Sequence, residues 1–155
     1  MNKSFKKSVD SFLTSKSVAV AGYSSLGDQP ANIIYDKLVK NGYKVFAVNP
    51  KHSKIKEVTC FPSLKEIPER VQSVVICTPA EATFETVKQC ADLGIKNVWL
   101  HQSFGTGSYN QQAVEYCKTN GINCVYSGCP MMFIEPDFGH LCMRGILSFS
   151  GRFKA

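Results

Sequence analysis

Five short stretches of this chain read as strands with no wet face: Ser17 to Gly22, Tyr43 to Asn49, Ser73 to Pro79, Asn97 to Gln102 and Ile122 to Gly128. A strand with one solvated face alternates apolar and polar residues, whereas a strand covered on both faces is a near-continuous apolar run. Helical patterns separate these runs. In the segment from Asp28 to Tyr43, Ile33, Ile34, Leu38 and Val39 recur at helical spacing. Asp28 is the expected N-cap there, Pro30 falls in the first turn, and Gly42 stands at the C-terminal stop. The segments from Ala80 to Gly94 and from Tyr109 to Gly121 repeat the pattern. Val58 to Phe61 adds a short edge strand, followed by Pro62 and a brief helix near Leu64 to Ile67. The alternation predicts an α/β fold with a mainly parallel sheet of five to six strands and helices on both faces, joined by right-handed crossovers.

At 155 residues, 44% hydrophobic and 19% charged, the chain has a core's worth of apolar surface for one domain and is no disordered segment. Residues 17–133 form the expected core and 134–155 a C-terminal tail. The tail's apolar residues could dock back or form a homodimer contact. No run of 18 apolar residues predicts a membrane span, and the basic start lacks the apolar centre of a secretory signal. Seven cysteines, an odd number with no C-x-x-C pair, argue against a disulfide framework or structural zinc and for a reducing, cytoplasmic setting. A net charge of +6 suits an anionic ligand. It is too dispersed for nucleic acid, because no basic run, zinc finger or RNP-type aromatic motif accompanies it.

In such a sheet, ligands bind beyond the carboxyl ends of the strands where the strand order reverses. The first end carries Gly22-Tyr23-Ser24-Ser25-Leu26-Gly27. Its G-x-x-x-x-G spacing is neither the dinucleotide fingerprint nor a P-loop, which needs Lys-Ser/Thr after the second glycine. Free N–H groups and hydroxyls there still suit phosphate, with Gly22 admitting a close backbone approach. A Gly22→Val exchange is therefore expected to weaken the ligand while sparing the fold.

The second end carries Asn49-Pro50-Lys51, where an NAD site would place an acid for the ribose hydroxyls. Six lysines and no acid lie from Lys37 to Lys56, which suits a phosphorylated ribose. Coenzyme A and NADP both carry one. Cys77-Thr78-Pro79 closes the third run, and Thr83 one turn later could face the same crevice. Gly128-Cys129-Pro130 closes the last. Cys129 is either a small buried side chain or a thiolate drawn out by helix-start N–H groups and a basic pocket. His101 faces the ligand side if the sheet forms as described. Tyr-x-x-x-Lys, G-x-S-x-G and paired-carboxylate signatures are absent, which favours binding without chemistry.

Together, VAVAGYSS, VFAVNPK, VVICTPAEAT, VWLHQSFG and SGCPMMF, from about Ser17 to Phe133, resemble the stand-alone CoA-binding domain proteins. Their Rossmann-like fold is similar to the N-terminal domain of the succinyl-CoA synthetase alpha subunit. The resemblance implies that Gly22, Tyr23, Ser24 and Ser25 hold phosphates. It places Lys51 at the adenosine-ribose end, with Asn49 and Pro50 shaping the turn. Cys77, Thr78, Pro79 and Thr83 line the adenine side, and Cys129 and Pro130 lie near the exit of the pantetheine arm. Many relatives read WLQ-x-G where this chain has Trp99-Leu100-His101-Gln102-Ser103-Phe104-Gly105. The synthetase's active-site histidine belongs to a second domain without counterpart here, so the resemblance carries no ligase activity.

Overall fold

The computed structural model describes residues 3–102 and 105–155. Chain order runs α1 (Lys3–Leu13), β1 (Ser17–Ala21), α2 (Pro30–Lys40), β2 (Lys44–Val48), β3 (Lys54–Ile55), β4 (Val58–Phe61), β5 (Ser73–Ile76), α3 (Ala80–Asp92), β6 (Asn97–Leu100), α4 (Gln111–Thr119), β7 (Asn123–Val125) and α5 (Phe138–Phe149). Single 3-10 turns occupy Leu64–Glu66 and Pro130–Met132. The strands form one seven-stranded sheet, ordered β3-β4-β2-β1-β5-β6-β7. Every pairing is parallel except β3 with β4. The expected five to six strands become seven because Lys54 and Ile55 fold back on Thr59 and Val58 as a two-residue antiparallel edge.

The apolar runs are buried on both faces, as their lack of alternation requires. Val18, Val20, Val75, Trp99 and Val125 pack under α1 and α2. Ala19, Ala21, Val74, Ile76, Val98 and Leu100 pack under α3 and α4. Helix α1 buries Phe5, Val9 and Phe12, spaced four and three residues apart, and Phe12 meets Trp99 edge-on at 5.4 Å.

Two expectations change. Asp28 is not the N-cap of α2; Gln29 is, at φ −79° and ψ 154°. A residue preceding proline is driven out of the helical region, so Pro30 forces Gln29 to be the last extended residue. Asp28 is left outside the helix at φ 44°. The tail, for its part, does two things at once. Phe153 docks back, 4% exposed and stacked on Phe5 at 4.5 Å, while α5 leaves Phe138, Leu141, Ile146 and Phe149 exposed. Among the described residues no helix is long and apolar enough to cross a membrane.

Candidate functional site

From β1 the chain passes to β2 and β4 on one side of the sheet and later to β5, β6 and β7 on the other, so the switch point lies between β1 and β5. Helices α2 and α3 leave these strands toward opposite faces. A crevice opens where they part, flanked by the positive ends of two helix dipoles.

Its floor is bare backbone. Gly22 sits at φ +100°, and a Cβ there would lie 2.9 Å from both the carbonyl carbon and the oxygen of Cys77. Only glycine permits this approach, and the atoms it approaches belong to the protein itself. The expectation that Gly22→Val spares the fold is therefore overturned: the added carbons would strike the β5–α3 junction before any ligand.

Beyond Gly22 the loop is held by amides. The N–H groups of Gly22 and Tyr23 both donate to the Val48 carbonyl, at 3.1 and 3.2 Å. Asn32, one turn into α2, accepts from the Ser24 N–H at 3.0 Å and donates to the Ser24 carbonyl at 2.8 Å. The Ser24 hydroxyl accepts from the Leu26 N–H. Asn49 ties this loop to the next strand end, donating to the Tyr23 carbonyl at 2.7 Å and accepting from the N–H groups of Lys51 and His52 at 2.7 and 3.1 Å. An aspartate could not donate to Tyr23, so this position needs the amide.

The third wall is braced from β6. Ser108, buried, donates its hydroxyl to the Thr78 carbonyl at 2.6 Å and its N–H to the His101 carbonyl. Asn110 donates to the Ala80 carbonyl at 3.0 Å and caps α4 through Ala113.

Two open cavities share this crevice. One, of about 690 Å³, is lined by Gly22, Tyr23, Ser24, Ser25, Asn49, Pro50, Lys51, Cys77, Thr78 and Pro79, with Leu26, His52 and Ala82 completing it. The other, of about 560 Å³, extends from Gly22, Ser24, Cys77, Thr78 and Pro79 toward Gln29, Pro30, Ala31, His101, Gly107 and Ser108. The reading that His101 faces the ligand side holds. Gly107 and Ser108, absent from the expected site, belong to it, and part of the same loop (Ser103 and Phe104) lies outside the described residues.

Three expected residues stand behind the wall rather than in it. Thr83 is fully buried; its hydroxyl donates to the Pro79 carbonyl at 3.3 Å and lies 3.4 Å from that of Thr78. Cys129 is 1% exposed, and Pro130 is buried in the turn that follows it. The reading of Cys129 as a drawn-out thiolate is overturned: burial pushes its thiol up to about 12. Burial, and secondarily the neighbouring Cys129, likewise raises Cys77. All seven cysteines are free, and Cys142 is the exposed one.

The lysine cluster also divides. Lys51 lines the larger cavity, and the Lys56 ammonium reaches toward Gly27, 4.0 Å from where a Cβ would stand. Lys54 pairs with Glu57 at 3.2 Å. Lys37 and Lys40 occupy the last turn of α2, and Lys44 pairs with Glu69 at the start of β2, at the opposite end of the sheet. A five-residue strand between Lys44 and the turn separates the two groups.

Strand order, crevice and backbone floor define a Rossmann-like domain with an open crevice at its switch point. The chain belongs to the CoA binding domain family, which it matches over residues 16–135. It is 36% identical over 115 residues to the acetate–CoA ligase (ADP-forming) II of Archaeoglobus fulgidus, covering 69% of this chain and 17% of that one. It is 30% identical over 132 residues to the alpha subunit of acetate–CoA ligase (ADP-forming) II of Pyrococcus furiosus, covering 78% of this chain and 28% of the subunit. Among solved structures it resembles a hypothetical protein from Pyrococcus horikoshii OT3, with a TM-score of 0.74 and 28% identity over 82% of this chain and 87% of that one. The match thus spans less than a third of either ligase chain. Coenzyme A, rather than NADP, is the cofactor these relationships support.

Proposed function

We propose that the chain binds coenzyme A with its diphosphate over the Gly22–Ser25 turn and its phosphorylated ribose toward Lys51. The adenine then lies against Thr78 and Pro79. The observation that carries this reading is the backbone floor at Gly22 and Cys77, which opens onto a cavity lined, among the described residues, by Lys51 and by no carboxylate. The N–H groups of Gly22, Tyr23 and Ser24 are spent inside the protein, so the diphosphate is met by the Ser24 and Ser25 hydroxyls and the N-terminal ends of α2 and α3, and the cation stands where a ribose phosphate would end. Binding without chemistry is the role assigned to this domain; the ligase reaction of the relatives belongs to chains of which this segment matches 17% and 28%. Seven free thiols favour a reducing compartment such as the cytoplasm.

The test is a thermal-shift series with coenzyme A, dephospho-coenzyme A and NADP. Coenzyme A at 100 times its dissociation constant adds about 2.7 kcal/mol of stability. Dephospho-coenzyme A at the same concentration adds less, and Lys51→Ala removes the difference. Equal shifts with all three ligands would overturn the assignment of the ribose phosphate to Lys51.

A further inference from the structure

Helix α5 is apolar on two sides. Its inner side, Met143 and Leu147, packs on the cluster that holds Trp99 and Phe153. The helix's one formal charge is turned inward as well: the Arg144 guanidinium donates to the Met132 carbonyl at 3.2 Å and lies over the Phe133 ring at 5.8 Å. The outer side has no such partners. Phe149 is 97% exposed, Phe138 82% and Ile146 66%, with Leu141 and Cys142 also exposed between them. None of the seven exposed positions of this helix is charged. A solvated helix face in a chain of net charge +6 looks different, as α1 shows with Lys3, Lys6 and Lys7 outward. Helix α5 also lies beyond residues 16–135, the part that matches the family.

The outer pattern is symmetric about the middle of the helix. A second α5 laid antiparallel across that midpoint sets Phe138 level with the partner's Phe149, Leu141 with the partner's Ile146, and Cys142 with the partner's Gly145. Every pair then occurs twice, which is the self-complementarity a two-fold interface requires. The rings fall at the two ends, and a glycine falls beside the crossing point. A Cβ on Gly145 would meet nothing within 4 Å, so a facing helix can approach there closely. The four large side chains expose on the order of 500 Å² of apolar surface per chain. Two copies would cover about 1,000 Å², the size at which a specific but reversible interface begins.

We propose that the outer face of α5 is the interface of a two-fold homodimer, with the two helices antiparallel and Phe138 against the partner's Phe149. A lipid surface fits this face less well, because a helix lying in a membrane interface carries Lys and Arg along its flanks and α5 turns its one cation inward.

The experiment is sedimentation equilibrium of the full chain under reductant, from micromolar to submillimolar concentration, with Phe138→Glu, with Phe149→Lys, and with the two variants mixed one to one. The wild type passes from monomer to dimer mass across this range. Each variant alone raises the dissociation constant by more than about tenfold, the scale of losing a central aromatic anchor. The mixture regains a dimer of one copy of each, because the antiparallel register brings the new charges together at one end and leaves a Phe138–Phe149 pair at the other. Maleimide coupling to Cys142 is fast in dilute wild type and slows as the dimer fills. Both variants keep the wild-type helix content, and calorimetric titration gives the wild-type affinity for coenzyme A, since neither ring lines the crevice. A wild type that stays monomeric throughout would overturn the proposal, whether or not it co-sediments with phosphatidylcholine–phosphatidylglycerol vesicles. A dimer that both variants retain would remove it from α5, and a mixture that stays monomeric would overturn the antiparallel register.

Discussion

Gly22 after β1 and Gly128 after β7 make the same local move, a left-handed residue at the end of a parallel strand, with φ +100° and +76°. Their surroundings are opposite. Gly22 faces the main chain of Cys77 and Thr78, which has no side chain to fill the space above it, and the crevice opens there. A Cβ on Gly128 would meet the Phe153 ring at 3.2 Å and the Met132 sulfur at 3.4 Å. Its carbonyl accepts from both the Trp99 indole and the Gln102 N–H, each at 3.1 Å. Helices leave β1 and β5 toward opposite faces, whereas the returning tail covers the end of β7. A glycine after a strand therefore marks a turn, and topology decides whether that turn becomes a site.

The sharpest way to break this comparison is Gly22→Ala. Backbone strain and a 2.9 Å contact with main-chain atoms that cannot rotate away should together cost about 4 kcal/mol in denaturant unfolding. A cost below that of Gly128→Ala would show that the floor is not rigid backbone.

Acidification tests the strand end between the two turns. The folded pKa of His101 is about 4, below its usual 6.5. The folded state thus refuses a proton that the unfolded chain accepts, and the contribution is intact above pH 6.5 and lost as pH falls toward 4. Unfolding free energies at pH 7 and 4.5 should differ by about 2.4 kcal/mol more in the wild type than in His101→Gln. Parallel losses in the two proteins would mean the imidazole already titrates normally.

Asn32→Ala removes both hydrogen bonds that hold Ser24 and should cost about 2 kcal/mol, with a matching fall in coenzyme A affinity. Stability lost with affinity unchanged would separate the loop's packing from its binding. The smallest effect belongs to Gly128→Ala, about 1.5 kcal/mol, because the Phe153 ring and the Met132 side chain can shift and only the left-handed backbone penalty remains. Its coenzyme A affinity should equal that of the wild type, measured by the same calorimetry.

Much of this was legible in the residues themselves. The apolar runs mark the parallel strands because full burial on two faces leaves no other pattern, and Gly42, Gly94 and Gly121 all adopt positive φ beside their helix ends. Lys51, Asn49 and the Gly22 loop fall at strand ends that any parallel sheet brings together. What escaped depends on distance along the chain. The Gly22 to Cys77 contact spans 55 positions, and nothing local reveals that two main chains touch there. Six lysines look like one cluster until a strand carries half of them to the far end of the sheet. Phe5, Val9 and Phe12 do carry a helical period, but their partner surface under Trp99 appears only once β6 and β7 are in place. Cys129 and Pro130 match a motif, but Cys129 is buried in one cluster with Phe5 and Phe153, both far outside that motif.

The burial of the thiols has a practical corollary. Cys90 and Cys129 are shielded, the partly buried Cys77 like them holds its proton well above neutral pH, and Cys142 stands exposed on α5, two residues past the His140 that neighbours His101. Maleimide chemistry at pH 7 acts on accessible thiolate, so one position should take a dye without any cysteine being engineered in or out. The native chain thus supplies its own fluorescent handle on the exposed face of α5.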